Sequence, residues 1–145
     1  MKHTVTINAP GEKVWKTLWE DATYRAWTSA FHESSWAKTN WEKGSKVLFL
    51  DDKNNGMASR ITDNIPNEYM GITHMGIVAD GVEDYNSEEA KKWAGSYENY
   101  SLKTINGATE VKVEMGGADI PKEFEDYFAE AWPKALNKLK ELAEK

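Results

Sequence analysis

The sequence predicts an α+β domain in which a curved antiparallel β-sheet wraps around a long C-terminal α-helix, with two short helices after strand 1. Three observations carry this reading. From residue 121 to 145, apolar residues recur every three or four positions, through Phe124, Tyr127, Phe128, Ala131, Trp132, Ala135, Leu136, Leu139, Leu142 and Ala143. That period lays one apolar stripe along a helix. Between this helix and the start of the chain, short strand-like runs alternate with Gly, Pro, Asn and Asp turn signals. Near the start, Pro10 ends a short strand and is placed to open a helix. A closing helix with bulky rings must lie on a sheet able to wrap around it, and that arrangement builds a cavity.

The elements follow in order. Residues 4–7 alternate polar with apolar, the mark of a half-buried strand. After Pro10, Val14, Trp15, Leu18 and Trp19 supply a buried helix face. Trp19, Tyr24 and Trp27 extend helix-type spacing into a second short helix over about residues 22–27. Residues 34–39 form a weak strand and 46–50 a strong one, and the polar, Gly-ended stretch 51–56 turns the chain back. Strands at 57–65 and 68–78 flank Pro66-Asn67, read as a two-residue turn. Ser87 caps a short helix that stops at Gly95. Strands at 97–105 and 109–115 flank Asn106-Gly107, the strongest hairpin signal in the chain. Pro133 falls inside the last helix, removes one backbone hydrogen bond and predicts a bend that follows the sheet.

A two-residue turn at Asn106-Gly107 pairs Leu102 with Val111, Tyr100 with Val113 and Glu98 with Met115, all on one face. The other face carries Lys103, Glu110, Lys112 and Glu114 and is solvent. The same logic at Pro66-Asn67 pairs Ile61 with Ile72 and Ser59 with His74 on the inner wall. A different turn length would flip both polar residues outward.

The 145 residues fit one domain, 1–145, with a single sizeable core. The net charge of −6 opposes phosphate backbones and anionic lipid surfaces, so neither nucleic acid nor a membrane is expected as a partner. Cysteine is absent, which excludes disulfides and thiol chemistry and fits a cytoplasmic location. No apolar signal segment or membrane span is read. The three histidines lack helical metal-ligand spacing, and the glycines form no nucleotide fingerprint, so no cofactor or metal is expected.

Seven Trp in a chain of this length either fill the core or line a pocket. The candidate lining is Trp27, Phe31, Trp36, Tyr100, Phe124, Phe128 and Trp132, with His74 and Ser59 as polar groups that orient a ligand. A Ser-His nucleophile would also need a carboxylate to orient the His, and Asp63 reads as too distant. Glu98 lies near the sheet's end beside Gly116-Gly117 and reads as a solvated rim carboxylate; buried, it would be a candidate general base.

One ordered set of motifs runs along the chain: Ile7-Asn8-Ala9-Pro10 leading to Val14-Trp15, then Tyr24-Arg25-Ala26-Trp27. Gly56 through Ile65-Pro66-Asn67-Glu68-Tyr69 follows, then Trp93-Ala94-Gly95-Ser96-Tyr97-Glu98-Asn99-Tyr100, and finally Trp132 and Leu136. That order resembles the helix-grip fold of the START/Bet v 1-like (SRPBCC) superfamily, in the branch related to the C-terminal domain of the Hsp90 ATPase activator. The resemblance implies a curved sheet gripping the last helix with a pocket between them. It implies no single chemistry, since members include lipid carriers, cyclases and chaperone regulators. Three functions stay open: binding of a small, largely apolar ligand, docking on a chaperone partner, and a hydrolase or cyclase activity using His74 or Glu98.

Overall fold

The strands join one eight-stranded antiparallel sheet in a computed structural model that describes residues 1–117 and 121–145. Strand β1 (Lys2–Ile7) is followed by helices α1 (Gly11–Trp19) and α2 (Asp21–Thr28), then by β2 (Trp36–Lys38), β3 (Lys46–Leu50), β4 (Gly56–Ile65), β5 (Tyr69–Ala79) and β6 (Val82–Asp84). Helix α3 (Glu88–Trp93), strands β7 (Tyr97–Ile105) and β8 (Ala108–Gly116), and helix α4 (Lys122–Ala143) complete the order. The sheet runs β1-β8-β7-β5-β4-β3-β2, with β6 paired to β5. It curls around α4, as the sequence predicts.

Local chemistry explains the elements. Pro10 has φ −67° at the entrance to α1, where a missing N–H leaves no helical acceptor unpaired. Ser87 Oγ accepts the Ala90 N–H at 3.1 Å and caps α3. Asn106 and Gly107 have φ of 49° and 84°, both positive as a type I′ turn requires. Ile105 therefore faces Ala108, and the expected pairs Leu102–Val111, Tyr100–Val113 and Glu98–Met115 form.

The β4–β5 hairpin differs from expectation at its tip and agrees with it in the middle. Ile65 pairs with Tyr69, so three residues close the loop rather than two. Pro66 precedes Asn67 at φ 70°, and the Glu68 N–H bonds the Ile65 carbonyl at 2.9 Å, which is a type II arrangement. Such a turn does not match the strand twist as primed turns do, and a further residue joins the loop. That tip alone would set Ser59 opposite Met75 and put Ser59 and His74 on opposite faces. An irregularity between Ile61 and Asp63 leaves Thr62 as an extra residue and restores the pairs Ile61–Ile72 and Ser59–His74. A second shift, with Met75 extra on β5, brings Met57 opposite Ile77.

The main core lies between the sheet and the C-terminal half of α4. Trp132, Ala135, Leu136, Leu139 and Ala143 are buried in one cluster with Ile7, Val14, Leu18, Val111 and Val113. Trp27 joins them, and its Nε1 donates to the Leu18 carbonyl at 3.1 Å, so its polar edge is satisfied. The N-terminal half of α4 is different. Phe124 and Tyr127 are 39% and 45% exposed, and Phe128 is half-buried. Helix α4 is continuous through Pro133.

Leu139→Ala removes a fully buried side chain from the seam between α4 and the sheet. It is expected to cost roughly 2–5 kcal/mol of stability in urea unfolding. A loss within the ordinary range of surface substitutions, about 0.5 kcal/mol, would show that this seam does not hold the domain together.

Candidate functional site

The exposed half of α4 overhangs a cavity of about 820 Å³. Seven of the residues singled out from the sequence line it: Trp27, Phe31, His74, Tyr100, Phe124, Phe128 and Trp132. Their rings touch in sequence around the wall. Phe31 packs edge-on to Trp132 at 4.8 Å, Trp132 lies 6.3 Å from Trp27, and Trp27 lies 6.4 Å from Tyr100. Across the mouth, Trp93 of α3 meets Phe124 at 6.1 Å and Phe128 at 6.5 Å. The Tyr127 hydroxyl donates to the Phe31 carbonyl and ties α4 to the segment after α2.

Two expected lining residues lie elsewhere. Trp36 belongs to a separate small cluster with Leu48, Leu50, Ala58 and Val78. Strand alternation is the reason: in β2 it is Ala37 that packs on the main core, so its neighbour Trp36 faces the other side. There the Arg25 guanidinium stands 5.3 Å over the Trp36 ring, and Nε1 donates to the Asp51 carbonyl at 3.0 Å. Ser59 is inward-facing but only 2% exposed, and it sits behind His74 rather than on the cavity surface.

The polar groups form one connected line across three strands. Ser59 Oγ lies 2.6 Å from His74 Nδ1. His74 Nε2 lies 3.8 Å from Glu98 Oε1, and Glu98 Oε2 accepts the Tyr100 hydroxyl. Glu98 is thus a cavity carboxylate and not the rim group expected from its position near the strand end. Its side chain is 20% exposed. The cause is the pairing of β5 with β7, which sets Ile72 opposite Glu98 and Met70 opposite Tyr100. Glu98 then stands diagonal to His74 on the same face. The carboxylate that seemed missing from the Ser-His pair is supplied by this strand rather than by Asp63.

The Glu98 carboxylate favours an N–H on the His74 nitrogen nearest to it. His74 Nδ1 then accepts the Ser59 hydroxyl proton, which fixes the ring orientation. A serine nucleophile uses this same proton order, with the two ring nitrogens exchanged, but buried Ser59 does not reach the cavity and so meets no substrate there. Burial, reinforced by the Glu98 charge, holds the Tyr100 phenol well above the ordinary tyrosine range. Burial and the same carboxylate raise Tyr24, which also lines the cavity.

Tyr24, Phe49, Met57 and Trp93 also line the wall and are not among the lining residues expected from the sequence. Phe49 was within reach, because it alternates with buried Val47 along β3. Trp93 was not, since nothing local fixes where α3 docks. Outside the cavity, ligating atoms of His32, Asp51 and Asp52 lie within 4.8 Å of one another at the surface. Asp51 Oδ1 already accepts the Lys53 and Asn55 N–H groups at 2.8 and 3.0 Å, and these bonds close the β3–β4 turn.

A curled antiparallel sheet gripping a long C-terminal helix over a cavity defines the helix-grip class of the START/Bet v 1-like superfamily. The model of the family described as activator of Hsp90 ATPase homolog 1-like protein matches residues 8–144, and the chain belongs to that family. A solution structure of the Aha1 dimer from Colwellia psychrerythraea is similar at 19% identity, covers 99% of this chain and 95% of that chain, and has a TM-score of 0.74. A crystal structure of a protein from Mesorhizobium loti is 16% identical, with 98% and 96% covered and a TM-score of 0.71. CalU16 from Micromonospora echinospora is 15% identical, with 98% and 74% covered and a TM-score of 0.67. At these identities the likeness is one of fold. No curated protein sequence matches the chain. Among the described residues, no helix is long and apolar enough to cross a membrane.

Tyr100 is neutral when protonated, and its folded-state pKa is raised, so its contribution to stability is complete below the unfolded value of 10.0 and is lost as pH rises above it. Urea unfolding above about pH 10 should therefore show wild type losing stability more steeply than Tyr100→Phe, by about 1.4 kcal/mol per pH unit for one proton. Equal slopes would mean that Tyr100 ionises as freely in the fold as in the unfolded chain.

Proposed function

We propose that the protein binds a small, largely apolar molecule in the cavity between the sheet and the N-terminal half of α4. The observation that carries this reading is the hollow itself, about 820 Å³ and walled mainly by rings. Its size falls within the range of about 300–1,000 Å³ typical of small-molecule sites. A core that needed only stability would close such a space, because empty apolar volume forfeits packing contacts. Trp27, Phe31, Phe124, Phe128 and Trp132 supply the apolar contacts, and His74, Glu98 and Tyr100 supply polarity at one end. Ser59 acts through His74 by holding its ring. Removing ligand surface from water contributes about 25 cal/mol per Å² before ordering costs.

Phenylnaphthylamine, an uncharged probe that fluoresces in apolar surroundings, tests this directly. It should bind saturably to wild type and quench the tryptophans of the wall. Met57→Trp adds bulk from an inward position on β4 and should abolish binding while leaving thermal unfolding in place. Undiminished binding to a folded Met57→Trp would place the probe elsewhere and remove the cavity from the account.

Family membership favours a second reading, docking on an Hsp90-type ATPase. In that case the protein should raise the ATPase rate of such a chaperone, and Met57→Trp should do so as well as wild type. No stimulation by either form would end this reading.

A further inference from the structure

The charges around the cavity are lopsided. Glu98 lies inside it, and Glu89 of α3 and Glu125 of α4 stand at its mouth. No Lys or Arg side chain is among the described lining residues. The one fixed cation there is the amino terminus of Met1, which donates to the Met115 carbonyl at 2.8 Å. Glu89 has Lys92 at 4.0 Å, an exposed pair of little consequence.

The inner end is also rich in unused acceptors. A carboxylate offers about four lone-pair sites. Tyr100 occupies one of them on Oε2. The 3.8 Å separation between Oε1 and His74 Nε2 is too long for a hydrogen bond, so Oε1 keeps its acceptor capacity. The rings of Tyr24, Phe49 and Tyr100 border this end, and Phe49 lies 6.1 Å from the His74 ring. Ring faces attract cations, above all where water is displaced. A fatty-acid carboxylate would meet like charge here. An alcohol would offer one donor, whereas a protonated amine offers up to three donors and the opposite charge.

We propose that the cavity selects an amine: a cationic nitrogen seated at the Glu98 carboxylate, carried on an apolar body that lies among the rings under α4. This rests on the cavity-binding reading above and names the chemical class of its ligand. The raised phenols of Tyr24 and Tyr100 agree with it, since both feel the negative field that would hold the amine.

Octylamine, octanol and octanoate share one apolar body and differ in the head group. Calorimetric titration of wild type near neutral pH should rank them in that order, with the amine about tenfold to a hundredfold tighter than the alcohol, as a charge-assisted hydrogen bond implies. In Glu98→Gln, which retains an acceptor for Tyr100, the amine should lose that advantage while octanol stays within about threefold. Octanol or octanoate binding wild type as tightly as octylamine would overturn the amine assignment and leave the cavity reading standing. The wild-type ranking decides this even if Glu98→Gln fails to fold. If none of the three binds but phenylnaphthylamine does, the assignment again falls alone. If no probe binds, both readings fall.

Discussion

The burial of the last three turns of α4 against β1, α1 and α2 is the constraint on which the rest depends. Those turns carry Trp132, Ala135, Leu136, Leu139 and Ala143, packed with Ile7, Val14, Leu18, Val111 and Val113. Anchored there, the helix continues through Pro133 to its earlier turns without support from the sheet beneath. The stripe is one pattern in the sequence with two physical fates. Its small and aliphatic half fills the core. Its aromatic half faces a space that the sheet, by curling, declines to fill. Cavity and core are therefore one consequence of a helix longer than the surface that clasps it.

The polar line from Ser59 to Tyr100 shows how such a space tolerates a carboxylate. Glu98 loses most of its water, and a bare charge there would be costly. The Tyr100 hydroxyl offsets part of that loss, and His74 turns an N–H edge toward the remaining oxygen. Two strand pairings position these groups: β4 with β5 for Ser59 and His74, β5 with β7 for Glu98 and Tyr100. The line exists only in the assembled sheet. Its chemistry suits recognition better than nucleophilic attack, because the serine that would attack is sealed beneath the histidine.

Much of the architecture was legible because it is written in local signals. Asn106-Gly107 fixed a hairpin register to the residue, and the 3.6-residue period located α4. Trp27, Phe31, Tyr100, Phe124, Phe128 and Trp132 of the cavity wall were legible for the same reason, whereas Trp36, expected beside them, lies elsewhere. Three residues over its strand, period-two reading leaves no margin, and a shift of one position reverses the face. Glu98 was misread for another reason. Strands β5 and β7 are neighbours in space with β6 and α3 between them in sequence, and no turn sets their register. Trp93 belongs to the same class of long-range placement. Pairings between consecutive strands are encoded at the turn, whereas non-consecutive ones emerge from packing.

The extra residue at Thr62 has a wider consequence. It works as a slip joint between the tip of the β4–β5 hairpin and the stretch that holds Ser59 and His74. Because the strand absorbs the odd residue there, the loop at Pro66 is free to change its length while the imidazole keeps its aim. A tip one residue longer or shorter would keep the same interior pairs if the kink moved or vanished to match it. The hairpin's outer end is open to variation in a way its middle is not.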